Sequence, residues 1–140
     1  MRTIVVGVDG SEPSLRALQF AADLAADLDD ADIVVVFVRH VYLSMPEQTA
    51  EDEFAELLDR AEQTARVQVE HELRSRDLRW RMEARSGEPA HVLCAIADEL
   101  DASFLVVGRH GWSRAAELLL GSVSHRLVNR SPCPVLLVTD

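Results

Sequence analysis

Lysine is absent from this 140-residue chain, and all 14 of its basic residues are arginine. That absence removes whole classes of chemistry. A P-loop needs a lysine on the β/γ-phosphates, and a protein kinase needs one on a strand. A Schiff-base enzyme needs a lysine amine. Cysteine is scarce: Cys94 and Cys133 are the two present, with no C-x-x-C spacing, which excludes a disulfide framework and a zinc site built on cysteine. Cys94 falls on an apolar helix stripe and reads as a buried small hydrophobe. Cys133, between Pro132 and Pro134, reads as partly exposed. No apolar run approaches the roughly 18–20 residues of a membrane span. The first residues enter a strand-like run with no signal-peptide pattern. The expectation is a cytoplasmic protein with no membrane partner. Positive charge is also in deficit, with a net charge of −10, which argues against a nucleic-acid partner.

What is present is ordinary globular composition, 48% hydrophobic and 27% charged, in a length that suits one domain over residues 1–140. One region departs from the acidic background. Residues 108–130 hold Arg109, Arg114, Arg126 and Arg130 against Glu117 alone, a net charge of +3. A local basic patch in an acidic chain suits a small anion better than a polyanion.

Thr3–Val8 and Ile33–Val38 are short continuous apolar runs, as in strands buried on both faces. Ser11 is a good N-cap and Pro13 fits a first helical turn. Leu15, Leu18, Ala22 and Ala25 then mark an amphipathic helix, which Asp29–Asp32 breaks. Residues 39–50 read as a loop. Phe54, Leu57, Leu58, Ala61 and Ala65 mark a second helix, running to about Arg76, whose charges read as a solvated face. Leu78–Ala84 alternates apolar and polar, as on an edge strand. A turn at Ser86–Pro89 leads to a third helix through Val92, Leu93, Ile96, Ala97 and Leu100. Phe104–Val107, a helix over Ser122–Asn129 and a strand over Pro134–Val138 complete a βαβαβαβαβ order. That alternation predicts an α/β fold: an open five-stranded parallel sheet, order 3-2-1-4-5, with helices on both faces.

In such a sheet ligands bind beyond the carboxyl ends of the strands, where strand order reverses. The reversal falls between the first and fourth strands, so Gly7-Val8-Asp9-Gly10-Ser11 meets Val107-Gly108-Arg109-His110-Gly111. These are the two most glycine-rich strand exits. Gly108 and Gly111 tolerate backbone angles closed to other residues and present no Cβ to a ligand. Gly121 and Ser122 open a helix, and a helix N-terminus with free N–H groups is an anion site. Ser122 and Ser124 add hydroxyl donors. Asp9 can bind a ribose hydroxyl or, through water, a divalent metal on phosphates. Each glycine alone is equally at home in a plain turn, and Gly-Ser before a helix is often just a cap. His110 is either a phosphate contact or an exposed loop histidine, and Arg109 and Arg114 add electrostatic attraction. His125 lies three residues after Ser122, but a hydrolase would need a G-x-S-x-G elbow and an orienting acid, and neither is present. His40, His71 and His91 have no evident partner.

The pattern Gly108-x-x-Gly111-x9-Gly121-Ser122 resembles the nucleotide motif of the universal stress protein family, in its ATP-binding branch. IVVGVDGS, VVVFV, SGEPAHVL, FLVVGRHG and SPCPVLLV extend the resemblance over essentially the whole chain. It implies a Rossmann-like fold of the adenine nucleotide alpha hydrolase type. By the same resemblance Gly7, Val8 and Asp9 would line an adenosine pocket, with Asp9 at the ribose or metal. Val38 would offer backbone groups to the adenine edge. Val107, Gly108 and Gly111 would follow the ribose and phosphates, and Gly121, Ser122, Val123 and Ser124 would hold the terminal phosphates. It further implies a homodimer through the last strand, Val135–Val138, and a stress-linked regulatory role with little turnover of ATP. The bare apolar edge of that strand points to the same dimer. ATP with Mg²⁺ is the expected ligand. AMP or cyclic AMP is the alternative, and a slow ATPase is a further one, weakened by the absence of an S-G-G-x-D-S signature. A dimerising protein with an empty site is the last, and the intact glycines argue against it.

Overall fold

β-Branched residues dominate Arg2–Val8 (β1) and Ala31–Arg39 (β2), and the two runs pair in parallel from Arg2↔Ala31 to Val8↔Phe37. Between them Glu12–Asp27 forms α1, capped by Ser11, whose hydroxyl accepts from the Ser14 amide. The computed structural model describes residues 2–39, 51–109 and 122–139, with the side chains of residues 51, 52 and 122 outside that description. The chain continues through α2 (Glu51–Leu73), β3 (Arg79–Ser86), α3 (Pro89–Glu99), β4 (Phe104–Gly108), α4 (Ser122–Arg130) and β5 (Val135–Val138). All strand pairings are parallel, and the sheet order is β3-β2-β1-β4-β5. The predicted fold class and strand order therefore hold.

Alternation along each strand divides the core into two layers. Ile4, Val6, Val8, Ile33, Val35 and Phe37 face α1 and α2, meeting Leu18, Ala21, Ala65, Val69 and Leu73. Val5, Val34, Val36, Val38, Leu105 and Val107 face α3 and α4, meeting Leu93, Ile96, Val123 and Leu127. Burial on both sides is why β1, β2 and β4 read as unbroken apolar runs.

The alternating strand is at an edge, as predicted: among the described residues β3 pairs with β2 alone. Its outward residues form a charged ladder. Arg79 pairs with Asp30 and Asp32, Arg81 with Glu83, and Arg85 with Glu83 and Glu99. Two sequence expectations shift. The break after α1 is shorter than Asp29–Asp32: Asp30 turns the chain at φ +58°, and Ala31 and Asp32 already lie in β2. Cys94 is half-buried, not buried, because it sits at the flank of the α3 stripe against the second layer. Burial nonetheless pushes its thiol pKa up. Among the described residues no helix is long and apolar enough to cross a membrane.

Candidate functional site

β1 and β4 are neighbours although they lie far apart in sequence, and strand order reverses between them. The register Val6↔Val106 carries Val8 and Gly108 to one rim, and β2 brings Val38 to the same rim beside β1. α4 begins at Ser122 on the return from β4, so its N-terminus opens there too. Thus Val8, Asp9, Val38, Val107 and Gly108 are brought together, with Gly7 just inside, buried in β1 and paired with Val36. His110, Gly111 and Gly121 lie outside the described residues.

The β1 exit is a closed hydrogen-bonded turn. The Asp9 carboxylate accepts the Ser11 amide at 2.9 Å, and the Asp9 amide donates to the Ser14 hydroxyl at 3.3 Å. That hydroxyl donates onward to the Ser11 carbonyl at 3.0 Å. Gly10 takes φ +85° at the apex, a conformation that favours glycine. From α2, the Gln68 amide reaches the Gly10 carbonyl at 3.3 Å. Burial raises the Asp9 pKa, and contacts with Ser11 and Ser14 pull it down without cancelling the effect. An ionised Asp9 is therefore short of solvation, which suits it to a cation or a hydroxyl donor arriving from outside.

The β4 exit is held differently. Gly108 does not adopt a positive φ. A Cβ there would lie 2.7 Å from the Pro13 carbonyl oxygen, so the glycine admits the first turn of α1 against β4. The sequence offers backbone freedom or ligand access as reasons for this glycine; its φ removes the first, and close packing against Pro13 is a reason the sequence does not offer. Arg109 donates its amide to the Val138 carbonyl at 3.0 Å, extending the β4–β5 ladder. Ser124 is 1% exposed, and its hydroxyl donates to the Arg109 carbonyl at 3.1 Å. Its side chain thus holds the strand exit. Val123 beside it is buried in the second core layer.

The β2 exit is tied to α2, where the Arg39 guanidinium meets Glu62 and Asp59, each at 2.9 Å. The Arg39 carbonyl accepts the Gly87 amide. Arg126, counted from sequence with the basic patch, pairs with Glu88 at 3.0 Å. Glu88 also caps α3, accepting the amides of Ala90 and His91. Burial pulls the Glu88 pKa up, but those amides and Arg126 outweigh it and hold the carboxyl below its ordinary range. His71, His91 and His125 are exposed. Among the described residues no group of three or more potential ligands is gathered for a metal ion. Two open cavities, of about 200 and 480 Å³, lie at the opposite, amino ends of the strands around Arg79.

Sequence reasoning missed Ser14, Gln68 and Arg39. The D-x-S-x-x-S spacing of Asp9, Ser11 and Ser14 was a usable signal for the first. The other two act across the fold, with no local pattern.

The chain matches the model of the universal stress protein family over residues 1–139. It is 34% identical over 144 residues to a universal stress protein of Mycobacterium tuberculosis, covering 98% of this chain and 95% of that one. The universal stress protein UspA from Lactobacillus plantarum superposes with a TM-score of 0.80 at 22% identity, covering 98% and 97% of the two chains. A universal stress protein crystallised in complex with cAMP superposes with a TM-score of 0.63 at 32% identity, covering 98% and 95%. Nine alternating elements among the described residues, the 3-2-1-4-5 sheet and a match along nearly the entire length lead to one conclusion: the chain belongs to the universal stress protein family.

Proposed function

We propose that the protein is a stress-linked regulator that binds ATP with Mg²⁺ at this rim and senses the nucleotide without consuming it. The observation that carries the reading is the meeting of the Asp9 and Gly108 exits where strand order reverses, with α4 opening beside them. Val38 offers backbone groups to the adenine. Asp9 takes the ribose hydroxyls or, through water, the metal. The chain from Val107 to Gly111, with Arg109 and His110, follows the phosphates, and the amides from Gly121 to Ser124 close on the terminal ones. A half-buried carboxylate at the rim, short of solvation when ionised, fits a hydrated cation. Mg²⁺ there would neutralise phosphate charge, while Asp9 orients its water shell.

Turnover is not expected. Asp9 is committed to the Ser11 amide, and backbone donors bind ground-state phosphate without favouring a transition state. The relative crystallised with cAMP favours a second reading, in which the same adenosine pocket takes cyclic AMP or AMP. Mass spectrometry of gently denatured protein identifies any nucleotide that co-purifies, and calorimetric titration ranks ATP with Mg²⁺, AMP and cAMP. Binding of none of them rejects the nucleotide reading. Steady-state ATP turnover above roughly 1 s⁻¹, the low end of ordinary enzymes, rejects the regulatory one.

The working unit is a cytoplasmic homodimer joined through Val135–Val138. The two sheet edges are unlike. β3 carries the charged ladder that discourages strand addition, whereas β5 reads VLLV, half-buried throughout, with no charge on the strand. Pairing with a second copy across a two-fold axis covers that edge. Light scattering that returns the 15.5 kDa monomer mass at micromolar concentration excludes this arrangement.

A further inference from the structure

Among the described residues the buried polar side chains are Ser14 and Ser124, each 1% exposed, and both sit at the proposed rim. A hydroxyl taken out of water persists only where it is bonded, and both are. Ser124 holds the carbonyls leaving β4. Ser14 is the less expected of the two, because it lies inside α1 and has no place in the Gly-x-x-Gly-x9-Gly-Ser pattern. We infer that the Ser14 hydroxyl is a positioning residue for Asp9, fixing the β1 exit in the shape that receives the nucleotide.

The geometry is specific. One oxygen accepts the Asp9 amide at 3.3 Å and donates to the Ser11 carbonyl at 3.0 Å. The Ser14 amide is meanwhile held by the Ser11 hydroxyl at 3.4 Å, and Asp9 accepts the Ser11 amide. Ser14 therefore joins both ends of the turn that presents the Asp9 carboxylate. The same helical turn packs against the other exit, since the Pro13 backbone occupies the space a Gly108 side chain would fill. Rotation about χ1 cannot move the Ser14 oxygen without breaking both bonds. A hydroxyl in this place does more than cap α1, because Ser11 already caps it.

This inference rests on the nucleotide reading, so the experiment has one arm that does not. Three variants are compared with the wild type. Ser14→Ala deletes the oxygen, Ser14→Cys keeps the volume with a weak acceptor, and Ser14→Thr keeps the hydroxyl. Ile33→Val, a trim of a fully buried residue at the amino half of β2, serves as the destabilised comparator. The first arm follows the Asp9 carboxyl by ¹³C NMR titration without nucleotide. The second measures AMP and ATP·Mg²⁺ by calorimetry. Losing one ordinary hydrogen bond should weaken binding about five- to tenfold in Ser14→Ala and Ser14→Cys. The Asp9 titration should move up in both, and both effects should return toward wild type in Ser14→Thr. Ile33→Val should leave Asp9 and affinity unmoved. If Ser14→Ala does not fold, Ser14→Cys carries the comparison. An Asp9 titration unchanged in Ser14→Ala or Ser14→Cys overturns the inference, as does affinity equal to that of Ile33→Val. A wild type that binds no adenine nucleotide, with Asp9 still moving in the variants, rejects the nucleotide reading and leaves the positioning role supported.

Discussion

Replacing Gly108 by alanine separates two reasons for a glycine at the head of the proposed site. An ideal Cβ at this position lies 2.7 Å from the Pro13 carbonyl oxygen, 2.8 Å from its carbon and 3.0 Å from the Pro13 Cβ. Comfortable carbon–carbon contact is about 3.5–4.0 Å, so the surfaces must part by roughly 0.5–1 Å. The obstacle is backbone, held by a ring-fixed φ at Pro13 and by the bonds of Ser14. No side chain can rotate out of the way, and β4 or α1 must move as a unit. Forced overpacking of this kind costs about 1–3 kcal/mol. The opposing term is small: alanine at an unstrained φ gains about 0.4–1 kcal/mol by narrowing the unfolded ensemble. The net expectation for Gly108→Ala is a loss of up to about 2.6 kcal/mol, centred near about 1.3 kcal/mol. At roughly 3–4 °C per kcal/mol for a chain of this size, Tm should fall by about 4–5 °C at that centre and by about 10 °C at most. Circular dichroism melts and urea titrations of ligand-free protein measure this directly. If Gly108→Ala melts at or above the wild-type temperature, the packing account is wrong, and ligand access becomes the reason for the glycine.

Asp9→Asn retains an oxygen for the Ser11 amide and removes the charge that burial disfavours. A raised folded-state pKa means that the neutral form's advantage is complete below the ordinary value of 3.8 and is lost as pH rises through the folded pKa. Asp9→Asn should therefore match the wild type in urea at pH 3, equal or exceed it at pH 7, and bind ATP·Mg²⁺ more weakly; a less stable variant at pH 7 contradicts the burial argument. Gly121→Val should abolish triphosphate binding at a modest folding cost, about 1–3 kcal/mol. Ser122→Ala should weaken binding about ten- to a hundredfold by removing one donor to a charged acceptor. Calorimetry showing wild-type affinity in a folded Gly121→Val would reduce residues 108–124 to a turn. Glu88→Ala should cost about 1 kcal/mol at neutral pH through loss of the α3 cap. Because the Glu88 pKa is lowered on folding, that stability is present above its ordinary 4.5 and is lost as pH falls through the folded value. Melting-temperature gaps that fail to narrow by pH 3 would dismiss the charged cap.

The architecture is legible in sequence because its signals are local. Runs such as IVVVFV are too short for helices and too apolar for exposed strands, and amphipathic stretches separate them. The edge position of β3 is legible from RWRMEA, where alternation betrays one wet face. Strand order follows from chain connectivity, and with it the meeting of Asp9 and Gly108. The rim's internal bonding is not legible in this way. Gln68 reaches Gly10 across 58 positions and Arg39 reaches Glu62 across 23, and neither residue type announces its target. Arg126 illustrates the limit of charge counting: its sign suits an anion site, yet its guanidinium is engaged by Glu88. Ser124 reads as a phosphate donor from its spacing, whereas its hydroxyl is turned inward to β4.

The β1–β4 junction is where folding and binding become hard to separate. Pro13 packs on Gly108, Ser14 ties Asp9 to Ser11, and Ser124 holds Arg109, all within the turns that leave two adjacent strands. Each contact stabilises the empty protein, and each fixes a group that the proposed ligand would meet. A turn fixed by such contacts pays little ordering entropy when a ligand arrives, because the Asp9 exit is already held in one shape. On the proposed reading the nucleotide is held and not consumed, since fixed groups that complement bound phosphate have no larger gain to offer a transition state. Deleting one of these three contacts should consequently lower stability and affinity together, whereas substitution of Arg79 should leave affinity alone. That contrast follows from geometry, with Arg79 at the amino end of the edge strand and the junction at the carboxyl ends of the central strands.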